Sequence, residues 1–321
     1  MLRVTGLIGH LIAGGIEQRM RRSQICFVLF LMLYFSGEGS AAERNCIGFI
    51  TGSGDHFWDE VYKGVKSAIL KENYEPLYLG LNNEANALGQ LHAVESFMPR
   101  RCKGLIIAPN HPDRLAQITQ LQEMGVAVVF IDRGLEGVTD VPIIATDNYM
   151  AGQFAAQKMV MSLPAGASNI AVLRLAPGVN STTQREQGFI DLMSKQGFEI
   201  VVSDYVGTTI VEVKSNSIKL LRGAKRPIHG IFTPNETTTV GVTDILPMYP
   251  ASERPVLIGF DQSEWITRAL EKGALNGVVA QRPVDMGGVA ATMLLDFLKT
   301  GKPMQSESID VDYVQASTPT P

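Results

Sequence analysis

The chain is short of the residues that mark several functional classes. Its three cysteines and five histidines do not cluster, so no metal-ligand spacing emerges from 321 residues. Basic charge is scarce: apart from Arg19–Arg22 there is no run of Lys and Arg, and the formal net charge is −4. That excludes a protein whose business is releasing counterions from nucleic acid. No phosphate-cradling Gly-rich loop, no G-x-S-x-G elbow and no H-E-x-x-H helix occurs, which removes the commonest signatures of nucleotide, acyl-transfer and zinc-protease chemistry. No cofactor and no metal are expected.

Long apolar runs are missing too, with one exception. "ICFVLFLMLYF", Ile25 to Phe35, is too short to span a bilayer comfortably. It follows the basic "RMRRSQ" and precedes "SGEGSAA", which sets Ser40 and Ala42 at −3 and −1 of a cut before Glu43. Residues 1–42 are therefore expected to be a cleaved secretory signal peptide, with an uncleaved anchor as the alternative and Met20 as an alternative start. Cys26 opens the apolar run, the wrong place for lipoprotein processing. Export leaves Cys46 and Cys102 in an oxidising compartment. Each opens an apolar run, so on neighbouring parallel strands they either bridge or stay as two buried thiols.

What remains is an alternation. "IGFIT", "EPLYLGL", "GLIIAPN" and "VAVVFID" are short apolar runs separated by amphipathic stretches, one of which puts Val61, Val65, Ala68 and Ile69 on a single helical face. A second series repeats the pattern with "NIAVLRLA", "EIVVSDYV", "GIFTPN" and "PVLIGFD", with helices expected over 148–162, 182–196, 210–222 and 236–248. Runs apolar throughout fit strands buried on both faces. The expected fold class is α/β: two doubly wound parallel-sheet lobes joined by hinge strands. "IIATDN" and "GVVAQRP" are the candidate crossovers. Residues 43–146 with 281–308 form the first lobe and 147–280 with 309–321 the second.

Both series end strands in polar residues: Asn110 and Asp132 in the first, Asn235 and Asp261 in the second. In open α/β sheets ligands bind beyond the carboxyl ends of the strands. Two lobes facing each other bring both sets of tips to one cleft. Capping of the following helix is the competing role for each of them.

"GDHFWDEVYKGV", "FIDR", "TDNYMAG", "TTQREQGF", "FTPNETTTVG", "IGFDQ" and "VAQRPVDMG" together resemble the type I periplasmic sugar-binding proteins, the ribose-binding-like group, in order and spacing from Cys46 to about Tyr313. The resemblance implies a monomeric receptor that closes two lobes on a monosaccharide or polyol and delivers it to a membrane ABC permease. A sugar demands flat apolar plates and paired polar groups, because a buried hydroxyl without a partner costs about 1–3 kcal/mol. Carried over by position, the resemblance implies ligand contacts at Asp55, Phe57, Trp58, Asp132, Arg133, Asn235, Asp261 and Gln281. It puts Thr183 where ribose binders have a second arginine and treats Arg185 as a structural arginine; Asn180 and Thr183 are then the expected replacements, with Tyr205 to Thr208 as a further wall. Closure is expected about Thr146, Gln281 and Ile309. Three rival readings differ in class: a glycosidase using Asp132 and Asp261, a transcription regulator, which the apolar leader displaces, and a sensor that shows its ligand to a membrane kinase or chemoreceptor.

Overall fold

Val, Ile and Phe crowd the short runs, and these pack as strands once both faces are covered. In the computed structural model, which describes residues 44–315 apart from 55, 84 and 85, they form two six-stranded sheets. The expected signal peptide and Asp55 fall outside the described residues. The first sheet holds β1 (Arg44–Ile50), β2 (Glu75–Leu79), β3 (Cys102–Ile107), β4 (Ala127–Ile131), β5 (Ile143–Thr146) and β11 (Glu307–Ile309) in the order β11-β5-β4-β3-β1-β2, all parallel. The second holds β6 (Asn169–Arg174), β7 (Glu199–Tyr205), β8 (Gly230–Phe232), β9 (Val256–Phe260), β10 (Gly277–Ala280) and β12 (Asp312–Gln315) in the order β12-β10-β9-β8-β6-β7. Its edge strand departs from the all-parallel expectation. β12 begins where β10 ends, Asp312 opposite Ala280, and so runs antiparallel to it.

Helices cover both faces of each sheet. On the first, α1 (His56–Lys71) and α9 (Pro283–Thr300) pack on one side, α2 (Ala87–Phe97) and α3 (Arg114–Glu123) on the other. On the second, α4 (Asn148–Ser162) and α5 (Asn180–Lys195) lie opposite α6 (Ile210–Gly223), α7 (Glu236–Thr243) and α8 (Glu264–Glu271). The helix expected over 236–248 stops at Thr243. Pro247 is the cause: its ring would strike the carbonyl four residues back, and it has no N–H to donate.

Cys46 and Cys102 are bonded, with Cα atoms 4.7 Å apart across β1 and β3. The bridge ties the start of β1, one strand in from the edge, to its neighbour β3, at the end of the sheet where these strands begin. The chain passes from one sheet to the other three times: after Thr146, between β10 and α9, and between β11 and β12. Ile309 closes β11 opposite Thr146, inside the first sheet.

Candidate functional site

Parallel strands point their carboxyl ends, and the N-termini of the helices that follow, toward the same edge. Both sheets do so, and their edges meet. Phe57, Trp58, Asp132 and Arg133 from the first, with Ser181, Thr182, Arg185, Asn235, Asp261 and Gln281 from the second, line one cavity of about 20 Å³. A single water needs roughly 10–15 Å³, so a sugar enters only when the walls move apart.

The two aspartates are equivalent in the two sheets. Asp132 follows β4 and Asp261 follows β9, and both are left-handed, with φ of 64° and 70°. Each N–H still bonds the neighbouring strand: Asp132 donates to the Ile144 carbonyl and Asp261 to that of Val279, both at 2.9 Å. The ladder is thus extended by one residue while the positive φ swings the carboxylate into the cleft. Asp and Asn tolerate this conformation better than other non-glycine residues, and such residues cost of order 1–3 kcal/mol each.

Charges at 2–5 % exposure must be paired. Arg133 Nε donates to Asp132 Oδ2 at 3.1 Å, and its guanidinium lies 5.6 Å from the centre of the Trp58 ring. Arg185 stands between the two acids, 3.8 Å from Asp132 Oδ1 and 3.8 Å from Asp261 Oδ2. It is held there by Asn148 Oδ1 at 2.8 Å, by the Pro234 carbonyl at 2.9 Å and by the Phe260 ring beneath it at 4.0 Å. Asp261 also accepts from Gln281 Nε2 at 2.7 Å and from the Glu236 N–H at 3.1 Å, while Thr146 donates to Gln281 Oε1 at 2.9 Å. Burial raises the Asp261 pKa, against the pull of Arg185 and of the Gln281 bond. Two carboxylates and two guanidiniums cancel, so the cavity wall carries no net charge from these four.

Asn235 has a divided role. Its Oδ1 accepts from the Thr238 N–H at 3.1 Å and the Thr238 hydroxyl at 2.7 Å, capping α7, so its amide NH₂ is what it offers the cavity. Phe57 and Trp58, packed edge to face at 5.1 Å, supply the apolar wall.

Asn180 and Thr183 are elsewhere. They border a wider groove of about 950 Å³ beside the cavity, together with Asn110, Tyr205 and Thr208, and Arg133 forms part of both walls. Arg185, read in the sequence as structural, is the residue at the cavity. Helix geometry explains the exchange: at 100° per residue Ser181, Thr182 and Arg185 share one face of α5, and Thr183 lies about 200° from Arg185. Ser181 donates to Asp132 Oδ2 at 3.3 Å, a bond between the two sheets. That i, i+4 spacing was the signal available for Arg185.

Residues 47–303 match the model of the periplasmic binding protein domain. The chain belongs to the periplasmic binding protein family. Among curated relatives of this binding protein, the ribose import binding protein of Bacillus subtilis is 26% identical over 254 residues, covering 78% of this chain and 79% of that one. The D-allose-binding periplasmic protein of Escherichia coli is 22% identical, covering 77% and 82%. Among solved structures, the periplasmic component of an ABC-type sugar transport system from Hahella chejuensis superposes with a TM-score of 0.78 at 29% identity, covering 84% of this chain and 99% of that one. An ABC transporter solute binding protein from Agrobacterium vitis, solved with D-fucose, has a TM-score of 0.76 at 26% identity, covering 84% and 94%. Among the described residues no helix is long and apolar enough to cross a membrane.

Proposed function

We propose that this binding protein is a periplasmic receptor for a neutral monosaccharide or related polyol, exported by cleavage of residues 1–42, which it encloses between two lobes and presents to a membrane ABC permease. The observation that carries the reading is the convergence of Asp132, Arg133, Arg185, Asn235, Asp261 and Gln281 on one cavity walled by Phe57 and Trp58. Carboxylate and guanidinium pairs serve adjacent hydroxyls as bidentate acceptors and donors, and charge-assisted bonds are the strong ones. The aromatic pair suits the C–H face of a pyranose or furanose. Balanced charge favours an uncharged ligand over a sugar acid or an amine. Ribose, D-allose and D-fucose, the sugars in the names of similar proteins, are neutral.

Binding then requires opening about the crossings near Thr146, Gln281 and Ile309, and the ligand favours closure by touching both lobes. In the open receptor Arg185 gives up its pairing with Asp132, and the sugar hydroxyls take its place. The reading is tested by thermal denaturation of the purified mature chain against a panel of pentoses, hexoses, polyols and cyclitols. A ligand at a hundredfold over its Kd stabilises the folded state by about 2.7 kcal/mol. A panel with no stabilising member rejects the sugar reading, and turnover of a glycoside would replace it with catalysis.

A further inference from the structure

The groove beside the cavity is more than one enclosed sugar ring requires. At about 950 Å³ it falls in the range of small-molecule sites, whereas the shut cavity next to it holds about 20 Å³. Its walls follow β2, β3 and β4 in the first lobe and β6 and β7 in the second, with nothing from β5, β10, β11 or β12. It therefore lies on the side of the cleft away from the crossings. The cavity, which includes Gln281, stands between the two. There the lobes already touch, through Ser181 and Asp132 at 3.3 Å and through Arg185 and Asp132 at 3.8 Å, so further closure is blocked and the groove stays open.

A single layer of side chains divides cavity from groove. Arg133 belongs to both walls, and the first turn of α5 serves both: Ser181 and Thr182 line the cavity, Asn180 and Thr183 the groove. Each groove wall is fixed from behind. On the first lobe the Asn110 N–H donates at 2.9 Å to Gln90, a fully buried side chain that also holds the Thr51 and Ala108 carbonyls. On the second lobe the Arg174 guanidinium lies 4.4 Å from the centre of the Tyr205 ring and is itself anchored at 2.7 Å by the buried Glu186. The Thr208 N–H is tied to Glu212 at 3.1 Å, within the cap of α6. Asn180 Oδ1 accepts from Gln184 at 3.2 Å, so its NH₂ is what it offers the groove.

We propose that the groove is a second sugar subsite, and that the receptor takes a neutral disaccharide or glycoside with one ring in the cavity and the next against Tyr205. The inference rests on the cavity receiving a sugar ring, as under the proposed function, and lengthens the ligand by one ring. A held aromatic plate flanked by amides and hydroxyls from both lobes has the chemistry that ring demands. Arg133, at the partition, then stands beside the linkage. Asn180, Thr183, Tyr205 and Thr208 acquire a role that the cavity alone does not give them.

Calorimetry on the purified mature chain tests this with matched probes: glucose against maltose and cellobiose, galactose against lactose and melibiose, and xylose against xylobiose. At least one disaccharide should bind about tenfold or more tightly than its monosaccharide, the worth of a few added hydrogen bonds and a ring face. Thr183→Trp fills the groove from the side of α5 turned away from Arg185. It should cancel that gain while leaving the monosaccharide Kd within about twofold. Tyr205→Ala should also shrink the gain, and it decides the matter if the tryptophan variant fails to fold. Monosaccharide binding with every disaccharide equal or weaker overturns the subsite, as does a gain that survives both variants; the groove is then an entrance only, and the sugar reading stands. Silence from sugars of both sizes overturns the sugar reading and the subsite together.

Discussion

Replacing Arg185 by Met removes the cation between two buried acids while keeping most of its volume. Its guanidinium nitrogens are 3.8 Å from Asp132 and 3.8 Å from Asp261, and the side chain is 2% exposed. Deleting one partner of a buried pair costs about 3–5 kcal/mol, because the remaining charge keeps its burial without compensation. The loss should depend on pH in a defined direction. Asp261 already has a folded pKa raised by burial, and Arg185 is the largest influence pulling it down. A carboxyl whose folded pKa exceeds its unfolded one costs stability as pH rises from the unfolded value through the folded value. Without Arg185 that cost grows and reaches higher pH. Urea denaturation, followed by fluorescence of the buried Trp58, should therefore show a deficit near pH 7.5 that shrinks by more than about 1 kcal/mol near pH 5. A deficit equal at both values, or larger in acid, would show that Arg185 matters through packing on Phe260 and not through its charge.

Other outcomes follow from the same geometry. Asp261→Ala strips an acceptor from Gln281 and from the ligand, and calorimetry with whichever sugar stabilises the protein should show binding weaker by about 2–4 kcal/mol. Reduction of the Cys46–Cys102 bridge, which spans a sequence separation of 56, should cost about 4 kcal/mol by the chain-entropy estimate, read as a lower urea midpoint. A Cβ at Gly152 would collide with the Arg185 backbone carbonyl, so Gly152→Ala should force α4 and α5 apart. It should cost about 1–3 kcal/mol in stability and also weaken sugar binding, whereas an effect on stability alone would separate Arg185 from the site.

Most of the architecture was legible because burial on both faces writes itself as uninterrupted apolar runs. The strand tips were legible for the same reason: a polar residue ending such a run has nowhere to go but the sheet's edge, and Asp132, Asn235 and Asp261 all arrive there. The left-handed turn that aims the two aspartates leaves no mark in composition. Arg185 was missed because a helical residue's destination depends on what its helix packs against. Gly152 and Gly188 let α4 and α5 approach backbone to backbone, which carries that arginine into the cleft. Thr183 and Asn180 come from the same helical turn and face the outer groove.

Helix α9 lies against α1 and buries Met286, Ala290 and Leu294 in the first lobe, although nearly the entire second lobe precedes it in the chain. β11 likewise returns to the edge beside β5. A nascent chain that has emerged only as far as Ala280 has therefore only α1 over one side of its first sheet, which α9 later completes. Completion of both halves is postponed to the last stretch of translation, so the two sheets are finished together and not one after the other.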